Sequence, residues 1–346
     1  MNLPAFDIFR PKQWYKNLLI FIPIVGSLNI SDTNSIFLSL VGFGILCMSS
    51  SGTYILNDLI DSKKDSLHPR KKNRPIPSGK ITRNQAIILI TTLLVISEIF
   101  AILLNVQFFI LNSVLIASMI IYSIKIKNIF LMDVFSIAIN YVFRAMSGAY
   151  LIDVKISPWL IIGIFLLALL LAFGKRKNEL MFLDKSLLEF RHVLKQYSQK
   201  ILNYAIIITA TAVILVYSIY AINGPEQIGD WRLIITIPVA FFILISYLTK
   251  LFSGKNEGKE LDDLLVSDKK LLLSILSYVV LTIILIYLIP PNIFNWKHLC
   301  YYFVQPTFHE WNFLSVHPLI QDFHSQILFQ QIQAFFDIIC LSHFEI

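Results

Sequence analysis

Apolar runs long enough to cross a lipid bilayer alternate along this chain with short polar segments. About 20 mostly apolar residues make one helical crossing, and nine windows meet that measure, near residues 15–30, 35–56, 84–104, 107–124, 130–152, 157–174, 201–222, 232–252 and 270–289. The first is interrupted by Pro23 and Gly26 and has Lys16 near its start; a spanning helix tolerates such breaks where neighbouring elements satisfy the freed backbone groups. The pattern predicts an all-α, polytopic membrane protein with about nine transmembrane helices forming one domain over residues 1–290. The stretch 291–346, after Pro290-Pro291, has neither a clean span nor a helical stripe. It is expected to be an atypical, poorly ordered tail.

The basic residues test this map, because short cytoplasmic loops collect Lys and Arg. With the N-terminus inside, five inner segments hold 25 of the 29 basic residues: Arg10 to Lys16, Lys63 to Arg83, Lys125 with Lys127, Lys175 to Lys200, and Lys250 to Lys270. The outer segments hold Lys155, Arg232 and Lys297, and Arg144 stands alone within a span. The alternation predicts a multi-pass protein of the cell (inner) membrane with its N-terminus and inner loops in the cytoplasm. The formal charge of +7 is therefore a topological signal and not a nucleic-acid footprint. A chain that is 56% hydrophobic and 15% charged carries more apolar surface than one water-soluble core can hide. The first ten residues lack the apolar core of a cleaved signal. Cys47, Cys300 and Cys340 show no paired spacing, and the five histidines after Pro291 show no repeated ligand spacing, so neither a disulfide framework nor a zinc site is expected.

The sharpest chemical signal is Asn57-Asp58-Leu59-Ile60-Asp61-Ser62-Lys63-Lys64-Asp65, an NDxxDxxxD array at the inner end of the second span. If the helix continues, Asp58, Asp61 and Asp65 fall at i, i+3 and i+7 and share one face. Carboxylates so placed repel one another, and at a helix C-terminus they also oppose the macrodipole. A hard cation with oxygen ligands removes that repulsion; Mg²⁺ is typically held by one or two carboxylates and completes its shell with water and substrate phosphates. The alternative is a solvated helix end. The run His68-Pro69-Arg70-Lys71-Lys72-Asn73-Arg74-Pro75-Ile76-Pro77 follows directly. Its basic groups suit a polyanionic substrate, with Arg74 the foremost candidate, although an inner loop is basic in any case.

Arg144, in Tyr141-Val142-Phe143-Arg144-Ala145-Met146-Ser147-Gly148, is costly in a membrane unless it faces a polar cavity or a partner. Asp133 lies eleven residues earlier on the same face, about three turns away, with Tyr122 and Lys127 near the preceding inner loop. The sixth span ends in Gly174-Lys175-Arg176-Lys177-Asn178-Glu179-Leu180, and Arg191 and Tyr197 follow in the same loop.

These residues resemble the UbiA superfamily of intramembrane prenyltransferases from about Arg10 to Leu288. The shared marks are Arg10-Pro11-Lys12-Gln13-Trp14-Tyr15-Lys16-Asn17, NDxxDxxxD with His68-Pro69 and Arg74-Pro75-Ile76, Tyr122-Ser123 with Asp133, Arg144-Ala145-Met146-Ser147-Gly148, and Lys175-Arg176-Lys177-Asn178-Glu179-Leu180. The resemblance implies nine helices around a central cavity, a lateral opening for a polyprenyl chain and a Mg²⁺-bound diphosphate substrate. Members that use prenyl diphosphates generally carry a second aspartate motif after the sixth span. Here that place holds Lys175-Arg176-Lys177-Asn178-Glu179, and a cationic pair suits an extra phosphate better than a second metal. This departure points to the branch that moves phosphoribose from phosphoribosyl diphosphate to a decaprenyl-type polyprenyl phosphate, for cell-envelope arabinan-type or related glycolipid precursors.

On that resemblance Asp58 and Asp61 hold Mg²⁺ with Asn57 and Asp65 in support, and Lys175 and Arg176 grip the donor's 5-phosphate. Arg74 meets the diphosphate or lipid phosphate, Lys12 and Lys16 meet the lipid phosphate at the interface, and Arg144 closes the cavity from below. Tyr122, Lys127, Asp133, Glu179, Arg191 and Tyr197 complete the candidate substrate contacts. A homo-oligomer is left open. The other readings are a transferase moving a prenyl chain onto an aromatic acceptor, and a transporter; the latter predicts charges near the midplane of several spans and no surface metal cluster.

Overall fold

The computed structural model describes residues 6–67, 71–182, 192–223, 231–253 and 268–289. The expected tail and Arg191 lie outside the described residues. The chain enters through a 3-10 helix, Pro11–Phe21, that runs into the short helix α1, Ile22–Gly26. Eight longer helices follow: α2 Thr33–Asp65, α3 Arg83–Leu104, α4 Val106–Ile124, α5 Met132–Leu151, α6 Pro158–Phe182, α7 Gln199–Asn223, α8 Ile237–Phe252 and α9 Lys269–Tyr287.

Helical segments stand at all nine apolar windows, and in seven of them the helix is long and apolar enough to cross a membrane. The two that differ do so for visible reasons. The first is wound partly as 3-10 helix around Pro11 and Pro23, and proline removes a backbone donor. The fifth, α5, buries Asp133, Ser136, Asn140, Arg144 and Ser147, so its polar content reflects an interior face and not an exposed one.

Local chemistry sets the boundaries. Asp32 caps α2 by accepting hydrogen bonds from the backbone of Asn34 and Ser35. Thr82 and Gln85 form a reciprocal capping box at the start of α3, satisfying donors that a helix N-terminus leaves open. Asn105 alone joins α3 to α4, and its side chain accepts from the backbone of Gln107 and Phe108 at 2.7 and 3.1 Å. Asp268 does the same for Lys270 and Leu271 at the start of α9.

The helices pack largely in chain order, each against the next, with α2 also against α4, and the entry segment against α2 and α5. The Tyr287 hydroxyl of α9 donates to the backbone oxygen of Val25 at 3.1 Å, which brings the last helix back to the first. The side-chain pattern is inverted relative to a water-soluble protein: Leu103, Leu273 and Ile208 are 73%, 68% and 67% exposed, while Ser39, Ser49, Ser50, Ser51, Thr53, Asn112 and Arg144 are buried. Lipid is the solvent that such an exterior fits.

Helix α2 is 33 residues long, about 50 Å at 1.5 Å per residue, against a hydrocarbon core of about 30 Å. Its surplus length carries Asn57 to Asp65 beyond the apolar layer. The small residues Ser49 to Gly52 let α3 approach closely; a Cβ at Gly52 would stand 2.9 Å from Leu94.

Candidate active site at one mouth of the bundle

Helix α2 continues through Asp65, as the sequence predicts, and its carboxylates divide between two sets of cations, with Asp58 and Asp65 in one and Asp61 in the other. Nη1 of Arg74 donates to Asp58 Oδ1 at 2.9 Å and to Asp65 Oδ2 at 2.7 Å. Asp58 also accepts from Arg10, whose Nε lies 3.2 Å from Oδ2 and whose Nη2 meets Oδ1. Lys71 adds a longer approach to Asp65 at 3.9 Å. Asp61, three residues from Asp58, is turned by about 60° around the helix. It faces Lys127 of the α4–α5 turn, whose Nζ lies 2.7 Å from each of its oxygens and 3.5 Å from Asn57 Oδ1. Asp58 and Asp65 are buried, so these are charge pairs out of bulk water, where attraction between opposite charges is strong.

Arg10 is a site residue that sequence reasoning missed as an individual. It has a left-handed backbone, φ 51 and ψ 56, just before the 3-10 helix, a conformation non-glycine residues adopt at some cost. Its place in the Arg10-Pro11-Lys12 run was the available signal.

A second cluster flanks the same α4–α5 turn. Arg176 of α6 donates from Nε to Asp133 Oδ2 at 2.6 Å, from Nη1 to Glu179 Oε2 at 2.6 Å, and from Nη2 toward the Tyr122 hydroxyl at 3.4 Å. Tyr197 donates its hydroxyl to Asp133 Oδ1 at 2.6 Å and accepts from the backbone N–H of Leu131 at 3.2 Å. Leu131 itself has φ 64, so the Tyr197 hydroxyl anchors a strained residue at the head of α5. Burial, and then the hydrogen bond to Asp133, push the Tyr197 hydroxyl well above the usual phenol range. It stays a neutral donor throughout the physiological range.

Arg144 does not join Asp133, although the two share a helix face. It lies deeper, buried, with Nε 2.8 Å from Asn17 Oδ1, Nη1 2.8 Å from the backbone oxygen of Asn140 and Nη2 3.7 Å from the Met119 sulfur. Lys12 is exposed and Lys16 is half-buried, with its Nζ 5.7 Å from the centre of the Tyr15 ring. Lys175 is half-buried beside Arg176 in the C-terminal part of α6.

The oxygen donors fit a hard divalent cation. Asp61 and Asn57 converge on one positive group, Lys127, and Asp58 and Asp65 on another, Arg74. Among the described residues no group of three His, Cys, Asp or Glu side chains gathers around one point. The three carboxylates expected to share one ion are thus divided, Asp61 on one side and Asp58 with Asp65 on the other, so an Mg²⁺ held there would draw most of its shell from phosphate oxygens and water.

A decaprenyl-phosphate phosphoribosyltransferase of Mycolicibacterium smegmatis is 28% identical over 248 residues, covering 68% of this chain and 78% of that protein. A decaprenyl-phosphate phosphoribosyltransferase of Corynebacterium glutamicum is 27% identical over 288 residues, covering 81% of this chain and 86% of that protein. The fold is similar to that of a UbiA homologue from Archaeoglobus fulgidus solved with GPP and Mg²⁺, with a TM-score of 0.63, 16% identity, and 82% and 99% of the two chains covered. The family model for UbiA prenyltransferases matches residues 20–261. With its inward polar stripe, its acidic array at the bundle mouth and this match over most of its helices, the chain belongs to the UbiA prenyltransferase family.

Proposed function

We propose that this protein transfers a 5-phosphoribosyl group from phosphoribosyl diphosphate to a polyprenyl phosphate, releasing diphosphate, at a bundle mouth that faces the cytoplasm. The observation that carries the reading is the chemistry of the α6 end. Where prenyl-diphosphate users are expected to have a second acidic motif, this chain has Lys175-Arg176-Lys177, with Arg176 held by Asp133 and Glu179. One acidic array and one basic rim suit a donor with a diphosphate at one end and a separate phosphate at the other. The names of the curated relatives support the same substrates.

An oxygen of the lipid phosphate forms the bond to the anomeric carbon of the ribose. The bond from that carbon to the diphosphate oxygen breaks, and diphosphate leaves with the electron pair. The lipid phosphate is already ionised near neutral pH, so no strong general base is required, and positioning with charge stabilisation carries the catalysis. Asp58 and Asp61, with Asn57 and Asp65 in support, would hold Mg²⁺, which when bound neutralises charge on the departing diphosphate. Arg10, Arg74 and Lys127 already face these carboxylates and are placed to exchange them for phosphate oxygens. Lys175 is the candidate for the 5-phosphate, with Arg176 fixing the rim through its buried ion pairs. Lys12 and Lys16 are the candidates to meet the lipid headgroup at the interface.

The test offers purified protein two substrate pairs: ribose-labelled phosphoribosyl diphosphate with a polyprenyl phosphate, and a labelled prenyl diphosphate with an aromatic acid. Label in lipid from the first pair alone is expected. Product from the second pair alone would move the protein to an aromatic prenyltransferase.

A further inference from the structure

Among the described residues, Arg144 is a cation buried in the bundle with no anionic partner. Among those residues it meets the Asn17 side-chain oxygen, the Asn140 backbone oxygen, the Met119 sulfur and, at 6.0 Å, the Tyr141 ring, all of them neutral. Its side chain is 2% exposed, and a guanidinium at that depth is costly unless a counter-charge or a polar cavity meets it. Two buried oxygens on the same stripe of α5, Ser136 Oγ and Asn140 Oδ1, also have no hydrogen-bond partner among the described residues. Positions 136, 140 and 144 are four apart and lie on one face. Beside a buried guanidinium, an unpartnered hydroxyl and an unpartnered amide can each turn a donor toward an anion.

We propose that Arg144, with Asn17 and Asn140, forms the subsite for the phosphate monoester of the lipid acceptor. The reading names that acceptor because it rests on the proposed phosphoribosyl transfer, but the chemistry it requires is only a phosphate monoester. Asn17, the partner of Arg144, also accepts from Ser50. Ser50 precedes Asp58 by eight residues, about 12 Å along α2. A phosphate at Arg144 and a diphosphate at Asp58 would thereby lie at different depths along the bundle axis, as attack from the side opposite the leaving group requires.

The probes are farnesyl monophosphate, farnesol and inorganic phosphate, titrated against the full-length protein in nanodiscs. Wild type is expected to bind the monophosphate at least about tenfold more tightly than the alcohol, the discrimination a charge-assisted hydrogen bond provides. Inorganic phosphate is expected to compete weakly, because it lacks the tail. Arg144→Gln should bring the monophosphate and the alcohol to within about twofold of each other, and Arg144→Lys should retain part of the difference. Folding is checked by melting and by Mn²⁺ binding in the presence of pyrophosphate, which report the bundle and its mouth. If Arg144→Gln does not fold, Asn140→Leu decides, since it keeps Arg144 and the backbone contact; it should reduce discrimination severalfold. Unchanged discrimination in the deciding variant, or none in wild type, overturns the subsite. Discrimination that depends on Arg144 in a protein that fails to transfer phosphoribose would leave the subsite standing and overturn the proposed reaction instead.

Discussion

Lys127 and Asp61, 66 positions apart in the sequence, form a two-pronged ion pair, with the ammonium 2.7 Å from each carboxylate oxygen. The pair brings the α4–α5 turn against the acidic end of α2, so a loop basic for topological reasons also supplies a group to the site. Removing one member of a partly buried pair leaves the other uncompensated. Lys127→Ala is expected to raise the KM for phosphoribosyl diphosphate about tenfold or more, with the KM for lipid acceptor changed far less. Steady-state kinetics with each substrate varied in turn reads the difference.

Arg10 holds Asp58 from the entry segment while Arg74 holds it from the α2–α3 loop. Arg10→Ala should therefore lower kcat/KM for the donor by about 10- to 100-fold, the range for losing one charge-assisted contact. Arg10→Lys should recover only part, because the two-pronged contact of a guanidinium is not available to an ammonium. A full recovery by lysine would show that charge alone matters at this position.

The site was legible where its residues are close in sequence and obscure where packing chooses the partners. NDxxDxxxD on the end of a continuous helix follows from local pattern, and so does an all-helical membrane bundle. Which cation meets which carboxylate does not. Asp133 and Arg144 share a face of α5, yet Arg176 and Tyr197 take the aspartate while Asn17 takes the arginine, because α6 and the entry segment pack at different depths. Arg10 was hidden for a similar reason: its role depends on a left-handed turn and a contact 48 positions away.

Tyr197 gives a pH prediction with a definite sign. Its hydroxyl ionises well above the ordinary value of 10.0 in the folded protein, chiefly through burial. A group whose folded pKa is raised adds stability that is complete below its unfolded pKa and is lost as pH rises. Wild type should lose stability above about pH 10, and Tyr197→Phe should flatten that loss while costing about 1–3 kcal/mol at neutral pH through the unmet Leu131 N–H and Asp133 oxygen. Thermal melts from pH 7 to 11 measure both effects.

Gly148 sits where α5 touches the entry segment, and a Cβ there would lie 2.1 Å from the backbone oxygen of Ile20. No side-chain rotation relieves contact with backbone. Gly148→Ala should destabilise the protein by about 1–3 kcal/mol, the usual effect of overpacking, and should weaken activity through displacement of Asn17 and Arg10. A melting temperature equal to wild type would show that the entry segment yields freely.

The most direct test measures transfer of ribose label from phosphoribosyl diphosphate to polyprenyl phosphate by the purified protein, with Mg²⁺ and with EDTA, for wild type, Asp58→Asn and Asp61→Asn. Labelled lipid is predicted only for wild type with Mg²⁺, with each variant reduced by about 100-fold or more, a loss of about 2.7 kcal/mol in transition-state stabilisation. Undiminished transfer in EDTA, or near-wild-type rates in either variant, would contradict a metal-diphosphate site built on the end of α2.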